Sequence, residues 1–274
     1  MISKKFYDKK VVFIGSGNMA EAIISGFVKY DIVKASNIVC NDISRDRLQY
    51  MSQKYAVSAQ QDKDEALNKA DIVFLTIKPQ TFKGVLEEYG KQIAKAKMVV
   101  TIAAGITTQF VEKYLSKKTV LIRVMPNTPA LVGKGAMAVC GGKNATEDNI
   151  NDIADLFSVI GRVVVVKETL INAITAVSGS GPAYVFYFSE VMREAAEKLG
   201  IPADMAKELV YQTIFGSGKM LIESGLDDTV LRKNVTSPGG TTEKAMEEFI
   251  NSDFKQIVCS AIERLKKEQK NFNI

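Results

Sequence analysis

Short apolar runs recur through the first 166 residues, and stretches with helical spacing separate most of them. The earliest run, Val11–Ile14, is apolar throughout, which is typical of a strand buried on both faces. Because strands alternate with helices, the sequence predicts an α/β fold with a doubly wound, mostly parallel sheet. The predicted strands are Val11–Ile14, Ile38–Asp42, Asp71–Ile77, Met98–Ile102, Thr119–Val124, Ala136–Cys140 and Arg162–Val166.

The alternation stops near Lys167, and only helical patterns follow. The stretch Tyr184–Phe188 is apolar on all sides, which predicts burial in a helix–helix or subunit core. We therefore predict two domains, 1–166 and 167–274, of which the second is all-helical and pairs with a second copy of itself. Helices are predicted from Leu170 to about Ser178, from Pro182 to Gly200, from Pro202 to near Gly225, from Thr241 onward and around Phe254–Leu265.

A glycine-rich turn follows the first strand and opens a helix. Its pattern is G-x-G-x-x-A, in which Gly15 permits the turn, Gly17 lets a pyrophosphate approach the backbone, and Ala20 allows close helix packing. A lone match is weak evidence, but its place between strand and helix predicts dinucleotide binding. The predicted cofactor residues of this turn are Gly15, Ser16, Gly17, Asn18, Met19 and Ala20.

Asp42 ends the second strand, about 20 residues beyond the glycine turn, where the dinucleotide fingerprint expects an acid that binds the adenosine ribose. This carboxylate favours NAD by repelling a 2′-phosphate, whereas Arg45 and Arg47 could instead bind that phosphate. The choice between NADH and NADPH therefore stays open. A plain structural role for Asp42, as a helix-capping residue, is the alternative.

Ligands of such sheets bind outside the carboxyl ends of the strands. The segment Thr76–Gln80, including Ile77, Lys78 and Pro79, is therefore expected to border the cofactor. The small residues Ala103 and Ala104 end the next strand, where a flat ring could approach. For Lys78, the alternative is a solvated loop lysine.

The segment Val235–Thr242 combines four hydroxyls, a proline and two glycines with no charged side chain. Pro238-Gly239-Gly240 predicts a tight turn. The helix predicted from Thr241 begins with N–H groups that lack intrahelical partners, which is a ready site for a carboxylate or phosphate. An ordinary helix start is the alternative.

Composition narrows the chemistry. The 274 residues contain no histidine, which excludes His-dependent triads, histidine zinc sites and a histidine general acid. The net charge of +5 gives little support to nucleic-acid or membrane binding, and we expect a cytoplasmic protein. Cys40, Cys140 and Cys259 are far apart in apolar contexts, so we predict buried inert thiols and no metal site.

With these motifs assembled, the chain resembles the pyrroline-5-carboxylate reductases, which reduce a cyclic imine to proline with a nicotinamide cofactor. The resemblance implies a Rossmann domain followed by an all-α dimerisation domain, in a homodimer or a larger ring of dimers. The motifs that carry it are Gly15–Ala20, Lys78-Pro79-Gln80, Arg123–Pro129, Ala176–Tyr184 and Val235–Thr242.

The resemblance also implies residue roles. Thr242 would be catalytic, as the hydroxyl that positions the ring nitrogen, and the loop would close over the nicotinamide edge from the helical domain. A departure is Asn41–Arg45, where many members carry small polar residues or an arginine for the 2′-phosphate. Implied substrate-binding residues are Ser237, Gly240, Thr241 and Thr242, and implied cofactor contacts are Lys78, Pro79, Ala103, Ala104 and Asn234.

Two other functions remain open at this point. A 3-hydroxyacid or 6-phosphogluconate dehydrogenase has the same layout, but needs a lysine soon after its glycine-rich helix, and here none follows Gly179-Ser180-Gly181 until Lys198. A non-enzymatic sensor that binds a nicotinamide cofactor would keep the glycine turn without needing the loop at 237–242. Oligomer size beyond the dimer, feedback inhibition by proline and any chemical role of Lys78 are not fixed by the sequence.

Overall fold

The computed structural model describes residues 4–271. The chain divides into two compact units. The sheet unit comprises the residues up to Ser180 together with those from Leu265 onward, and the helical unit comprises Gly181–Arg264. This division does not test the predicted boundary between residues 166 and 167, which stays a prediction.

One eight-stranded sheet forms the centre of the sheet unit. In chain order its strands are β1 (Val11–Ile14), β2 (Ile38–Asn41), β3 (Ser58–Ala59), β4 (Ile72–Leu75), β5 (Met98–Thr101), β6 (Val120–Met125), β7 (Gly135–Gly141) and β8 (Gly161–Val165). Their spatial order is β3-β2-β1-β4-β5-β6-β7-β8. All neighbouring pairs are parallel except β6 and β7, which are antiparallel. The chain therefore winds outward in both directions from β1, and the predicted doubly wound, mostly parallel sheet is confirmed.

Burial explains why these short strands form. Every residue of β1, β2, β4 and β5 is buried. In β1, Val11 and Phe13 join one hydrophobic cluster, whereas Val12 and Ile14 join another. Successive side chains of a strand point to opposite faces, so both faces of the sheet are covered by apolar side chains. The continuous apolar runs of the sequence thus mark strands with helices on either side.

The helices of the sheet unit connect the strands and cover the sheet. They are α1 (Asn18–Lys29), α2 (Arg45–Tyr55), α3 (Lys63–Leu67), α4 (Phe82–Ile93), α5 (Thr108–Glu112), α6 (Glu147–Ser158) and α7 (Ile171–Ile174), which continues as a π-helical turn over Thr175–Gly179. Short 3₁₀ turns lie at Lys4–Phe6, Ala35–Asn37, Pro79–Thr81, Thr128–Val132 and Glu168–Leu170.

The helical unit contains helices only, over its described residues 181–264. They are α8 (Gly181–Lys198), α9 (Ala203–Glu223), α10 (Asp228–Asn234), α11 (Thr241–Asn251) and α12 (Phe254–Asn271), whose last turns fall in the sheet unit. The predicted all-α second part is confirmed. Few side chains of this unit are buried within the chain; among them are Ser189, Ala206 and Val210.

The structure departs from the predictions in several places. Within the single chain the apolar stretch Tyr184–Phe188 is not buried, because Phe186 and Tyr187 are 64% and 68% exposed, so of the two predicted kinds of core the subunit core stays a prediction. Two short elements, β3 with two residues and α10 with seven, were not predicted from the sequence. The predicted helix limits at Ser178 and Pro182 are each one residue off, since the π-helical turn ends at Gly179 and α8 begins at Gly181.

Cysteine burial divides into two cases. Cys40 and Cys140 are buried, as predicted, whereas Cys259 is exposed on α12 and the prediction for it is wrong. Burial raises the pKa of Cys40 to about 11 and that of Cys140 to about 12, so both thiols stay protonated near neutral pH. Within residues 4–271 we find neither a group of three potential metal-ligating side chains nor a helix long and apolar enough to cross a bilayer.

Candidate functional site

The turn after β1 lies against the loop after β4. Gly15 has a φ of +92°, a conformation that favours glycine. A Cβ added there would lie 2.9 Å from the carbonyl oxygen of Thr76 and 2.9 Å from the Ile77 side chain. The Thr76 hydroxyl also donates hydrogen bonds to the carbonyl oxygens of Ile14 and Gly15. Position 15 therefore requires glycine, because a side chain would force these two loops apart.

Gly17 leaves the start of α1 open. It is the N-cap residue of that helix, with no side-chain cap bond to the first N–H groups. A Cβ added at Gly17 would meet no atom within 4 Å, so free space lies above the helix N-terminus. Ala20 is fully buried and lets α1 pack closely. Open space, free N–H groups and the positive end of the helix dipole fit the pyrophosphate of a dinucleotide.

Asp42 follows β2 and contacts the glycine turn directly. Its Oδ2 atom accepts a hydrogen bond of 2.7 Å from the backbone N–H of Ser16, and its Oδ1 atom accepts one of 3.0 Å from the N–H of Ser44. The N-cap of α2 is Ser44, whose hydroxyl accepts a bond from the N–H of Arg47. Asp42 is therefore not the cap, and the capping alternative for it is wrong.

A buried carboxylate fixes α1 to α2. Glu21 accepts hydrogen bonds from Arg47 (2.6 Å), Tyr50 (2.9 Å), Lys54 (3.0 Å) and Tyr55 (2.8 Å). Burial by itself raises the pKa of this carboxyl group, but its four donors outweigh that effect and lower the pKa to about 2. Glu21 is therefore ionised at neutral pH and holds the Arg47 guanidinium.

The ends of β4 and β5 lie side by side, because the two strands pair in parallel. Ile77 and Pro79 are half-buried beyond β4, while Lys78 is exposed and its carbonyl oxygen accepts bonds from the N–H and hydroxyl of Thr81. Ala103 is buried beyond β5, and Ala104 is half-buried. These residues thus share the carboxyl edge of the sheet with the glycine turn, as predicted, and the ammonium group of Lys78 projects from an exposed position.

A buried ion pair lies farther along the same sheet. The Arg123 guanidinium on β6 contacts Glu168 at 2.9 Å, and Glu168 also accepts bonds from the N–H and hydroxyl of Thr108. Burial raises the pKa of Glu168, but the Thr108 and Arg123 bonds outweigh it and hold the pKa below its usual value. The pair joins β6 to the segment before α7, which shows what the arginine of the Arg123–Pro129 motif does structurally.

Asn127, in the loop after β6, holds the π-helical turn in place. Its amide donates to the carbonyl oxygen of Ser178 at 3.0 Å, and its carbonyl accepts from the N–H of Ala136 at 2.9 Å. The loop after β6 and the π-helical turn are therefore linked through one buried amide. π-Helical turns often mark functional positions, since they displace side chains from regular helical register.

The loop between α10 and α11 forms a tight turn, as the sequence predicted. The N–H of Gly240 donates to the carbonyl of Ser237 at 2.9 Å, and Gly239 has a φ of +73°, the pattern of a type II turn with Pro238 at its second position. We refer to residues 236–242 as the hydroxyl loop. Gly240 is the N-cap of α11 and no side chain caps its first N–H groups. The Glu243 carboxylate accepts a bond from the N–H of Gly239 at 2.8 Å.

The hydroxyls of Thr241 and Thr242 stand on the first turn of α11, and both residues are exposed. Asn234, the last residue of α10, is exposed as well. Of the predicted site residues, the structure brings together those of the sheet unit at one sheet edge and those of the helical unit around one helix start. Their roles in binding stay predictions.

The Glu21 cluster was missed by sequence reasoning. Its only sequence signal is an acid between Ala20 and Ala22, directly after the glycine turn, where the helix is otherwise apolar. The partner side chains lie 26 to 34 residues away, so spacing could not identify them. Neither could the sequence show that Arg47 is already paired.

Two family models match the chain. Residues 168–272 match a model described as pyrroline-5-carboxylate reductase dimerisation, and residues 10–105 match one described as NADP oxidoreductase, coenzyme F420-dependent. Pyrroline-5-carboxylate reductase 2 of Bacillus subtilis is 36% identical over 94% of this chain and 93% of that protein.

Solved structures agree over nearly the whole length. A pyrroline-5-carboxylate reductase from Coxiella burnetii superposes with a TM-score of 0.89 at 34% identity, covering 97% of this chain and 99% of that one. A Plasmodium falciparum pyrroline carboxylate reductase with NADP bound gives a TM-score of 0.88 at 29% identity, covering 98% and 100%.

The sheet, its glycine turn and the open start of α1 define a nicotinamide-dependent oxidoreductase of the Rossmann type, with a helical dimerisation domain. Since the similarity extends over more than nine-tenths of both chains, the protein belongs to the pyrroline-5-carboxylate reductase family.

Proposed function

We propose that the chain reduces the C=N bond of 1-pyrroline-5-carboxylate with NADPH or NADH and releases L-proline, the last step of proline biosynthesis. The observation that carries this proposal is its similarity, over nearly its full length, to reductases named for that substrate. The glycine turn supports it, because its geometry fits the cofactor that such a reduction needs.

The reaction requires a hydride at carbon and a proton at nitrogen. When bound, the reduced nicotinamide supplies the hydride. Imines of this type are protonated near neutral pH, so the protein needs no strong general acid, and the absence of histidine is no obstacle. The task of the protein is orientation, which can supply most of the acceleration.

We assign that task to the hydroxyl loop and the start of α11. The N–H group of Thr241 lies at a helix N-terminus without a side-chain cap, where a substrate carboxylate is stabilised. The N–H of Gly240, which the sequence assigned to the same task, donates to the Ser237 carbonyl within the turn. Ser237 precedes the turn, and the Thr242 hydroxyl would position the ring nitrogen. Support comes from the tight turn, which fixes the backbone, and from the exposure of both threonines.

An absorbance assay tests the activity. Purified protein should consume reduced nicotinamide when pyrroline-5-carboxylate is added, and should not turn over 3-hydroxyacids or 6-phosphogluconate with oxidised nicotinamide. Activity on hydroxyacids alone would support the dehydrogenase alternative. Nucleotide binding without turnover of either substrate class would support the sensor.

We also propose a homodimer in the cytoplasm. The dimerisation family model over residues 168–272 supports the dimer, as do the exposed aromatic side chains of α8. Free cysteines at positions 40, 140 and 259 are in keeping with a reducing compartment. A larger ring of dimers and the division into the predicted domains 1–166 and 167–274 are further parts of this proposal.

A further inference from the structure

The carboxyl end of β2 presents a fixed negative charge beside the glycine turn. Both oxygens of Asp42 accept backbone N–H bonds, from Ser16 at 2.7 Å and from Ser44 at 3.0 Å. These bonds hold the side chain in one orientation next to the residue that precedes Gly17. Each carboxylate oxygen retains a lone pair that can accept a further hydrogen bond, such as one from a hydroxyl group.

Each of the two nearby arginines has a hydrogen-bond partner within the chain. The Arg47 guanidinium donates through Nη2 to Glu21 at 2.6 Å and through Nε to the carbonyl oxygen of Ser16. Its side chain is only 23% exposed, so moving it outward would leave the buried Glu21 carboxylate with one donor fewer. Arg45 donates through Nε to the side-chain carbonyl of Gln61 at 3.0 Å.

The balance of charge at this position therefore differs between the two coenzymes. An adenosine ribose with a free 2′-hydroxyl can donate to the Asp42 carboxylate, whereas a 2′-phosphate brings a second negative charge to the same place. Ile43, which is 87% exposed directly after Asp42, adds an apolar surface rather than a cation. Arg47 is paired with Glu21, so it offers a 2′-phosphate less net positive charge than an unpaired arginine would.

We propose that this protein prefers NADH to NADPH and that Asp42 is the residue that discriminates between them, while the Glu21 carboxylate pairs with Arg47 and offsets its charge. The proposal rests on the proposed function for its choice of ligand. It places this chain apart from the Plasmodium relative, whose structure contains NADP.

Direct binding tests the preference without turnover. The full-length protein is titrated with NADH and NADPH, followed by the fluorescence of the reduced nicotinamide, and then with 5′-AMP and 2′,5′-ADP as competitors that isolate the ribose. We expect dissociation constants at least about tenfold lower for NADH than for NADPH, and for 5′-AMP than for 2′,5′-ADP. Equal affinities, tighter NADPH binding or no binding of either nucleotide would overturn the proposal.

The variant Asp42→Asn tests the residue. It keeps the shape and one accepting oxygen but removes the charge, so the NADPH-to-NADH ratio of dissociation constants should shrink by about tenfold, mainly through tighter NADPH binding. The matched control is Asp46→Asn, which removes the same charge from an exposed position in the first turn of α2. A ratio that changes equally in both variants, or in neither, contradicts a specific role for Asp42.

Thermal unfolding of each variant shows whether the glycine turn stays folded, and the wild-type ratio tests the preference even if Asp42→Asn unfolds. The outcome also separates the two proposals. Protein that binds NADH selectively but does not reduce pyrroline-5-carboxylate would disprove the activity and leave the preference standing. Protein that reduces the imine faster with NADPH, and binds NADPH more tightly than NADH, would support the activity and disprove the preference.

Discussion

At the residue scale, the Thr242 hydroxyl carries the most specific chemical assignment. Thr242→Ala should lower kcat/KM for pyrroline-5-carboxylate by about tenfold or more, because a substrate nitrogen that loses its hydrogen bond is less well oriented. Steady-state rates measure the change. Thr213→Ala is the control, since the Thr213 hydroxyl on α9 only donates to the carbonyl of Leu209. If Thr242→Ala stays within about twofold of the parent, the assigned role is wrong.

Glu21 gives a residue-scale prediction about stability. Its pKa is lowered from 4.5 to about 2, so its stabilising contribution is complete above pH of about 4.5 and disappears as the pH falls toward 2. Glu21→Gln should cost about 1–3 kcal/mol in the free energy of unfolding at pH 7, because several donors lose an anionic partner.

Urea unfolding at pH 7, 5 and 3 measures this cost. The gap between parent and Glu21→Gln should narrow as the pH falls, while Asp46→Asn, at an exposed position on α2, should show no such gap. A cost that is the same at all three pH values would mean that packing, rather than the ionised carboxylate, stabilises the contact between α1 and α2.

Single residues also show how much of the candidate site could be predicted from the sequence. Gly15, Gly17 and Asp42 were identified because their types and spacing follow from the geometry of a strand–turn–helix unit. The sequence could not predict that two N–H groups donate to Asp42, or that Arg47 donates to Glu21. Those bonds depend on side-chain orientation across 26 residues of chain, which no periodicity encodes.

At the element scale, the two glycines of the turn after β1 should behave differently. Gly15→Ala should lower the free energy of unfolding by about 2–4 kcal/mol, since φ is +92° and the new methyl group would meet Thr76. Gly17→Ala places its methyl group in open space at a φ of −67°, and should cost about 1 kcal/mol or less.

Gly17→Ala should harm nucleotide binding much more than it harms folding. The methyl group of Gly17→Ala would occupy space that fits a pyrophosphate, so the affinity for NADH should fall by about tenfold or more while the fold is kept. Calorimetric titration and thermal unfolding on the same samples measure both quantities. A folded Gly17→Ala protein with unchanged affinity would contradict the placement of the pyrophosphate at α1.

Elements were predictable where burial dictates the pattern. The strands β1, β2, β4 and β5 are buried on both faces, so their sequences are apolar runs, interrupted only by a polar last residue in β2 and β5. By contrast, β3 is exposed and has two residues, and the π-helical turn at Thr175–Gly179 has the same local sequence signals as an α-helix. Such elements are set by what they pack against or bond to, as Asn127 does with Ser178.

At the scale of the whole molecule, the helical unit exposes apolar surface that a single chain leaves uncovered. An apolar cavity of about 600 Å³ is lined by Val185, Phe186, Tyr211, Phe215 and neighbouring side chains of α8 and α9. The apolar pattern of α8 predicted burial of its aromatic stretch but not which chain would cover it. A second copy, as proposed above, would account for both the pattern and the exposure.

Light scattering tests this explanation. The parent should have at least about twice the monomer mass of 30.0 kDa, and Phe186→Glu should shift the mass toward the monomer, because a charge cannot be buried unpaired at an apolar interface. Tyr30→Glu, on an exposed side chain of the sheet unit, is the control. A parent that runs as a monomer, or a Phe186→Glu protein that keeps the parent mass, contradicts dimerisation through α8.

The deep burial of Cys40 and Cys140 has a consequence for kinetics. With those thiols titrating only at about pH 11 and 12, and with no imidazole in the chain, the protein has neither a histidine nor a buried thiolate that changes charge between pH 6 and 8. A rate profile over that interval would therefore act as a titration of the small molecule, falling as the iminium ion loses its proton. Thr242→Ala should keep the same inflection at a lower rate, because the proton that titrates belongs to the substrate and not to the threonine hydroxyl.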